Sequence, residues 1–280
     1  MSAIWQCGRF ALSLSRPLIM GVLNATPDSF SDGGLYGDPL SAVARGRTMI
    51  EEGVDIIDIG GESTRPGAVE VPVSEEIARV RPVASALVRD FALPLSVDTR
   101  HAEVAAACVE CGVSIINDIS GFRDPAMLEV AAESNAGVIV MHMLGEPKTM
   151  QRDPHYHDVV PDVAAYLLEQ ARRLEDAGVA PERIAIDPGL GFGKTTEHNL
   201  EILNRLDEFA LLGYPVLIGA SRKRFIGEIS AEVDPLRRDP GSAAAALWSV
   251  SRGASVVRVH DVVGTRQALA VWEAIERGRP

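Results

Sequence analysis

The sequence of 280 residues predicts an α/β protein that folds as a (β/α)8 TIM barrel with a short N-terminal hairpin. Apolar runs rich in β-branched residues recur eight times, and each is followed by a polar or glycine-rich stretch and a helical pattern. Parallel strands that are covered on both faces are continuously apolar in this way. The alternation with helices favours a barrel, although strand count alone leaves a doubly wound open sheet as the alternative.

The elements can be placed in order along the chain. The predicted strands are residues 17–23, 54–59, 93–97, 113–116, 137–141, 183–186, 215–218 and 255–259, and helical patterns include residues 102–111, 163–177, 232–239 and 240–252. Four glycines stand between a helix and a strand, where a left-handed C-cap is expected: Gly53, Gly112, Gly178 and Gly253. Because no linker divides the chain, residues 1–280 are predicted to form one domain.

Composition and charge exclude several classes of protein. With 46% apolar residues the chain can bury a large core, which excludes a mainly disordered state. Lys and Arg total 27 against 39 Asp and Glu, and the net charge of −12 repels nucleic acids and anionic membranes. No signal-peptide pattern, membrane-spanning run or disulfide framework is present in the sequence. A cytoplasmic protein that acts on small molecules, with no nucleic-acid or membrane partner, is therefore expected.

Polar residues stand at the predicted carboxyl end of every strand or in the loop that follows. This end of a (β/α)8 barrel carries the chemistry. A single polar strand end is typical of a helix cap, but eight together predict an active site. The candidates at these ends, with the apolar Met141 among them, are Asn24, Arg65, Asp98, Asn117, Asp187, Ser221, Lys223, Arg258 and His260.

Three of these side chains indicate a flat heterocyclic ligand. Asp98, Asn117 and Asp187 are short and project into the mouth of an apolar tube. A buried carboxylate forms a bidentate, charge-assisted pair with two adjacent N–H donors, and an amide supplies one donor and one acceptor. Such a set suits a guanidine-like edge, as in a pterin or guanine. The alternative is that Asp98 and Asp187 cap the helices that follow them.

The few cations indicate an anionic part of the ligand. Four side chains from the second, seventh and eighth strands gather at one mouth of an acidic protein: Arg65, Lys223, Arg258 and His260. A di- or triphosphate group requires such a cluster. Asn24 offers a neutral oxygen to Mg²⁺, whose other ligands would be phosphate oxygens and water. Mg²⁺ is therefore the expected cofactor.

Three further features predict structure rather than chemistry. Residues 189–195 (GLGFGKT) resemble a phosphate-binding loop, but Pro188 stands where the first glycine is required. Cys108 and Cys111 lie within a helical pattern without a second cysteine pair, which favours packing over zinc or redox chemistry. His142, at a strand end, is interpreted as structural.

Motif blocks along the chain resemble those of the dihydropteroate synthase family, which are pterin-binding barrels of the folate pathway. The blocks are residues 24–34 (NATPDSFSDGG), 58–68 (DIGGESTRPGA), 96–99 (SVDT), 115–121 (IINDISG), 187–195 (DPGLGFGKT), 219–227 (GASRKRFIG) and 258–262 (RVHDV). The first two blocks are long and unusual, and the resemblance covers almost the whole chain. Ala25 stands where the family commonly has Val.

The resemblance implies a transferase that joins 6-hydroxymethyl-7,8-dihydropterin diphosphate to 4-aminobenzoate and releases pyrophosphate and 7,8-dihydropteroate. It implies that Asp187 pairs with the amino edge of the pterin and that Asn117 and Asp98 bind the rest of its polar edge. Lys223 would lie on the carbonyl side, and Arg258 would stack over the ring. Family members usually dimerise through exterior helices, so a homodimer is implied.

The resemblance also implies sites for the diphosphate and for 4-aminobenzoate. The diphosphate site comprises Arg65, Arg258 and His260, with Mg²⁺ on Asn24. Phe192 and Pro66 border the aminobenzoate slot, which sulfonamide-type analogues would also occupy. Its carboxylate is attracted by Lys223 and by the helix N-terminus after Ser221. The implied catalytic residues are Asp98, Lys223, Arg258, Asp32 and Arg65, and substrate binding adds Thr64 and Met141.

No residue is an evident nucleophile or general base for the amine. We therefore expect the diphosphate to depart first and leave a delocalised pterin cation, stabilised by the buried carboxylate of Asp98. Two loops, residues 25–38 and 61–72, are expected to be mobile without ligand and to close over the diphosphate. Closure would bring together Phe30, Asp32, Thr64 and Arg65 and would order binding, with the pterin diphosphate first.

Two alternative functions remain at the level of the sequence. A pterin-binding methyltransferase would share the barrel and the carboxylate contacts but would not need the cations for a diphosphate. A catalytically silent pterin-binding protein would be expected to lose Asn24, Arg65 or His260, and all three are present.

Overall fold

The computed structural model describes residues 4–26, 39–62 and 70–278, and the predicted barrel is confirmed. An antiparallel hairpin of β1 (Ile4–Cys7) and β2 (Phe10–Ser13) precedes it. The parallel barrel strands are β3 (Leu18–Asn24), β4 (Ile56–Gly60), β5 (Leu95–Asp98), β6 (Ile115–Asp118), β7 (Gly137–Met141), β8 (Ile184–Asp187), β9 (Leu217–Ile218) and β10 (Val256–Val259).

The strand order closes the sheet on itself. The strands from β3 to β8 pair with their neighbours in chain order, and β10 pairs with both β9 and β3. Ile186 of β8 bridges Val216 next to β9, and its N–H donates to the carbonyl of Pro215 at 2.9 Å. A doubly wound sheet would instead be open and reverse its strand order. That alternative is wrong.

Helices follow the barrel strands on the outside. They are α1 (Pro39–Glu51), α2 (Val73–Asp90), α3 (Ala102–Glu110), α4 (Pro125–Glu133), α5 (Val159–Asp176), α6 (Thr196–Asn204), α7 (Leu206–Ala210), α8 (Arg224–Ser230), α9 (Asp239–Ser251) and α10 (Val262–Arg277). The left-handed C-caps are confirmed, because Gly53, Gly112, Gly178 and Gly253 have φ of +87°, +101°, +99° and +99°. None of the helices within the described residues is long and apolar enough to cross a membrane.

One predicted helix is wrong. Residues 232–238 contain only a 3-10 turn at Pro235–Arg237, and Asp239 is already the first residue of α9. The Asp234 side chain accepts from the N–H of Leu236 at 2.9 Å and starts this turn. Pro240 then stands in the first turn of α9, where its missing N–H does no harm, so a new helix begins there instead.

The hairpin closes the amino end of the barrel. Trp5 is fully buried, and its indole N–H donates to the carbonyl of Arg183 at 2.9 Å. A Cβ on Gly137 would lie 2.6 Å from Cys7 Sγ, so glycine allows the hairpin to approach β7. Trp5 and Cys7 pack on the inward side chains Leu18, Met20, Ile56, Ile115, Ile139, Ala185, Leu217 and Val256.

Strand alternation separates this apolar layer from a charged one. In β4, Ile57 and Ile59 pack outward among the helices, whereas Ile56 and Asp58 lie inside the barrel. The same period of two places Arg258 inside, one step beyond Val256. The barrel interior is therefore apolar next to the hairpin and charged at the carboxyl ends of the strands.

Candidate active site

One guanidinium joins two carboxylates across the carboxyl end of the barrel. Arg258 of β10 donates from Nε to Asp58 Oδ2 and from Nη2 to Asp98 Oδ2, both at 2.6 Å. Asn117 of β6 donates from Nδ2 to Asp58 Oδ2 at 3.2 Å. Side chains from four strands thus form one hydrogen-bonded group, and three of its members were predicted from their strand-end positions.

Two carboxylate oxygens of this group can accept hydrogen bonds from a ligand. Oδ1 of Asp58 and Oδ1 of Asp98 are buried and have no hydrogen-bond partner among the described residues. An unpaired buried acceptor costs free energy, and a ligand N–H removes that cost. Burial raises the pKa of Asp98 to about 7, with the nearby carboxylates of Asp58 and Glu76 adding to the shift and Arg258 opposing it.

Asp187 lies at the end of β8 and also faces this group. It is 6% exposed, and its Oδ1 accepts from the N–H of Gly189 at 2.7 Å. Burial raises its pKa, while Lys223 and Arg258 are close enough to oppose that rise. The carboxylate therefore holds the turn that follows β8 and remains close to both cations of the mouth.

The helix-cap interpretations of Asp98 and Asp187 are wrong. Helix α6 is capped by Thr195, whose hydroxyl accepts from the N–H of His198 at 3.2 Å. His101, not Asp98, occupies the cap position of α3.

Lys223 and Phe192 form one wall of the mouth. Lys223 Nζ lies 4.1 Å from the centre of the Phe192 ring, a cation–π contact. Burial lowers the pKa of Lys223 to about 8, and Arg258 lowers it further, while Asp187 and Asp98 oppose the shift. A Cβ on Gly191, at φ +78°, would lie 3.2 Å from Lys223 Cδ, so glycine leaves room for the lysine.

The remaining described candidates lie at neighbouring strand ends. Ser221 Oγ and His260 Nδ1 are 2.9 Å apart, and the His260 N–H donates to the same hydroxyl at 3.2 Å. A Cβ on Gly60 would lie 3.9 Å from Asn24 Oδ1 and 3.8 Å from Asp98 Cβ, so these two side chains flank Gly60. Met141 is 3% exposed and packs in a buried cluster against which Phe192 lies.

Some predicted features lie outside the described residues. They are Phe30, Asp32, Thr64, Arg65 and Pro66, together with most of the two loops that were predicted to close.

Lys194, from the block that resembles a phosphate-binding loop, is a structural residue of the loop after β8. It is 3% exposed, and its ammonium lies 2.8 Å from His142 Nδ1 and donates to the carbonyls of Gly189 and Phe192 at 3.0 and 3.1 Å. Burial lowers the pKa of Lys194 to about 7 and also lowers the pKa of His142. The pair ties the loop that carries Phe192 to the end of β7.

A second acidic group lies beside the mouth. Glu62, Glu76 and His101 place ligand atoms within 4.8 Å of one another. His101 Nδ1 lies 2.7 Å from Glu76 Oε2, and Arg100 Nε donates to Glu62 Oε2 at 3.3 Å. Glu76 Oε1 is buried and has no hydrogen-bond partner among the described residues, but the other oxygen of Glu76 is paired with His101 and Glu62 is paired with Arg100, so we assign the group no metal.

Sequence reasoning missed Asp58 and Glu76. Asp58 is the fully buried acceptor that Arg258 and Asn117 share. The negative charge of Glu76 contributes to the raised pKa of Asp98. A signal for Asp58 was present, since a charged residue inside a continuous apolar strand needs a buried partner. Glu76 gave no such signal, because it reads as an ordinary acidic residue in the first turn of a helix.

Comparison with known proteins places the chain in a family. A family model described as "Pterin binding enzyme" matches residues 20–260. The dihydropteroate synthase of Neisseria meningitidis serogroup C is 49% identical over 276 residues, which are 97% of each chain. The chain belongs to the dihydropteroate synthase family of pterin-binding enzymes. The family predicted from the motif blocks is thereby confirmed.

Solved structures agree with this assignment. Xanthomonas albilineans dihydropteroate synthase with 4-aminobenzoic acid is 48% identical and superposes with a TM-score of 0.93 over 99% of both chains. The Thermus thermophilus enzyme in complex with 6HMPPP is 44% identical, with a TM-score of 0.85 over 97% of this chain and 99% of that one. The likeness includes the barrel and the hairpin, since it extends over nearly the entire chain.

Proposed function

We propose that this chain joins a pterin diphosphate to 4-aminobenzoate. It is a transferase that forms a C–N bond: the amine replaces the diphosphate of 6-hydroxymethyl-7,8-dihydropterin diphosphate and gives 7,8-dihydropteroate and pyrophosphate. Family membership and the ligands of the similar structures support this reaction. The observation that carries it is the group of three carboxylates and two cations at the mouth of the barrel.

The carboxylates and Asn117 suit the pterin ring. Asp187 accepts from the adjacent amino and ring N–H groups, as a buried carboxylate does with a guanidine-like edge. Asp98 Oδ1, which has no partner among the described residues, and Asn117 complete the polar edge. Lys223 donates to the carbonyl side of the ring, and Arg258 stacks over its face.

Electrostatic stabilisation of a cation accounts for the catalysis. As the diphosphate departs, positive charge spreads over the pterin, and Asp58 and Asp98 lie within the same hydrogen-bonded group as Arg258. Carboxylates fixed in advance stabilise developing positive charge without reorganisation. The neutral amine of 4-aminobenzoate then traps the cation, so no general base is required before C–N bond formation.

The wall made by Phe192 and Lys223 suits 4-aminobenzoate. The Phe192 ring borders the aromatic ring of the substrate, and the Lys223 ammonium attracts its carboxylate. His260, Arg258 and Arg65 bind the diphosphate, with Ser221 fixing the His260 ring through the contact at 2.9 Å. We propose that Pro66 borders the same slot, which sulfonamide-type analogues would also occupy.

We propose Mg²⁺ as the cofactor, with Asn24 as its protein ligand. Asn24 Oδ1 lies on one side of Gly60 and Asp98 on the other, so oxygen donors of the kind that Mg²⁺ prefers face the mouth. When bound, the ion neutralises charge on the diphosphate. Calorimetry should show weak Mg²⁺ binding alone and stronger binding with pyrophosphate, and Asn24→Ala should remove that difference. Tight binding to the free protein would contradict the assignment.

We also propose that the protein acts in the cytoplasm and that it forms a homodimer. Helices α6, α8 and α9 enclose an apolar groove on the outside of the barrel, lined by Leu200, Leu203, Phe225, Ile226, Ile229, Ala245 and Trp248. Ile229 is 59% exposed and Trp248 is 44% exposed, so the groove presents large apolar side chains to solvent as one patch. A second copy of the chain would cover the groove. Light scattering should then report a dimer for the wild type and a monomer for Ile229→Asp, and a monomeric wild type would contradict it.

One assay tests the reaction directly. Purified protein with Mg²⁺ and the pterin diphosphate should release pyrophosphate and form 7,8-dihydropteroate in equal amounts when 4-aminobenzoate is present. Pterin binding without pyrophosphate release would indicate a silent binding protein. Methyl transfer to or from a pterin without any need for diphosphate would indicate the methyltransferase alternative.

A further inference from the structure

The residue between Ser221 and Lys223 has a backbone conformation that residues with a side chain seldom adopt. Arg222 has φ of +59°, in the left-handed region. That conformation costs a non-glycine residue free energy, so it persists only where the surroundings hold it. Because Ser221 and Lys223 flank Arg222 on the chain, its backbone sets the directions in which both neighbours point.

The first turn of α9 holds Arg222 by its side chain and its backbone. Nε and Nη2 of Arg222 donate to the two oxygens of Asp239, each at 2.7 Å, and about a fifth of each side chain is exposed. The Arg222 N–H donates to Ser242 Oγ at 2.9 Å, and its carbonyl accepts from Arg238 Nη1 at 3.2 Å. A bidentate pair of this kind fixes orientation as well as distance.

The residues that hold Arg222, which we call the anchor, are Arg238, Asp239 and Ser242. Two of them are themselves held by hydrogen bonds. Ser242 is 5% exposed, and its hydroxyl donates to the carbonyl of Arg238 at 2.8 Å. Arg238 in turn donates from Nε to the carbonyl of Glu232 at 3.0 Å. The left-handed residue is therefore held against the hydrogen-bonded start of α9.

We propose that Arg222 is a positioning residue for the reaction. Its ion pair with Asp239 holds the left-handed backbone that presents Lys223 and Ser221 to the substrates. Arg222 acts through its neighbours and does not contact the substrate. This inference rests on the proposed function, because Lys223 and Ser221 act in that site.

Three substitutions at one position separate conformation from ion pairing. Arg222→Ala removes the ion pair and disfavours the left-handed region, whereas Arg222→Gly and Arg222→Asn remove the same pair but tolerate that region. We expect Arg222→Ala to lower kcat/KM for 4-aminobenzoate about tenfold. This ratio corresponds to the free-energy cost of the left-handed conformation in a non-glycine residue, which the ion pair no longer offsets in the variant. The Gly and Asn variants should recover most of that loss.

Further variants test the anchor. Asp239→Asn should reproduce the defect of Arg222→Ala, and combining the two should add little, since both remove one interaction. Arg47→Ala breaks a surface pair with Asp90 at 2.7 Å and should leave kcat/KM unchanged. Thermal unfolding of every variant shows which of them remain folded. A purely stabilising ion pair would make glycine no better than alanine, and that result would overturn the proposal, as would full activity in Arg222→Ala.

A second measurement does not depend on turnover. The chain contains only three lysines, Lys148, Lys194 and Lys223, so acylation of each can be followed by mass spectrometry as pH varies. In the wild type Lys223 should titrate near its lowered pKa of about 8, and in Arg222→Ala its pKa should rise as the ammonium leaves its buried position. An unchanged titration in a folded Ala variant would overturn the positioning role. Absence of condensation by the wild type would refute the proposed function instead.

Discussion

Replacing Asp58 by Asn tests the charged group at the barrel mouth. Asp58 accepts from Arg258 at 2.6 Å and from Asn117 at 3.2 Å, and it is fully buried. An amide has no negative charge, so one charge-assisted hydrogen bond of about 1.5–3 kcal/mol is weakened. We expect kcat/KM for the pterin diphosphate to fall between about tenfold and 100-fold.

The same substitution should move the pH profile in a defined direction. Burial raises the pKa of Asp98 to about 7 and lowers that of Lys223 to about 8, so the carboxylate forms above the first value and the ammonium persists below the second. The wild type should therefore show a narrow bell-shaped profile of kcat/KM. Asp58 raises the pKa of Asp98, so Asp58→Asn should move the acidic limb to lower pH.

Steady-state kinetics on both sides of neutrality measure this shift. Asp118→Asn is the matched control, because Asp118 is equally buried at a strand end but accepts from Ser120 and Phe122 in its own turn. It should change stability without moving the acidic limb. An Asp58→Asn profile with its acidic limb at the wild-type position, or at higher pH, would refute the assignment of that limb to Asp98.

Three further predictions follow from single side chains. In Asp187→Asn the amide NH2 would face the N–H donors of the pterin, so calorimetry should show pterin binding weakened by roughly 1–3 kcal/mol per unpaired group. Binding as tight as in the wild type would show that Asp187 does not contact the pterin. Lys223→Ala should lower kcat/KM by about 100-fold, as removal of one positioned donor does, while the exposed Lys148→Ala serves as the control with normal turnover. Trp5→Ala should lower the free energy of unfolding in denaturant by about 3–5 kcal/mol, whereas Ile4→Ala, at a side chain 49% exposed, should cost far less; equal losses would contradict the role of the hairpin as a plug.

The sequence predicted the barrel well because local and global signals agree. Each strand is a continuous apolar run, and Gly53, Gly112, Gly178 and Gly253 mark the turns between helices and strands. The helix expected at residues 232–239 failed because Pro235 and Pro240 divide the segment into a turn and a new helix start.

The site was predictable only in part. Asn117, Asp98 and Asp187 could be placed at one mouth because parallel strands bring their carboxyl ends together. The pairing of Arg258 with Asp58 joins residues 200 positions apart, and it depends on which strands face each other across the barrel. The left-handed conformation of Arg222 could not be predicted either, because it is held by contacts with α9 rather than by its own propensity.

We propose that the barrel mouth stabilises a pterin cation as the diphosphate departs. A secondary kinetic isotope effect, measured with deuterium on the methylene carbon that bears the diphosphate, tests it most directly. Departure before attack makes that carbon trigonal, so we expect a normal isotope effect clearly above one on kcat/KM for the wild type. An effect close to one would show that the amine attacks as the diphosphate leaves, and it would contradict the cation that Asp58 and Asp98 are proposed to stabilise.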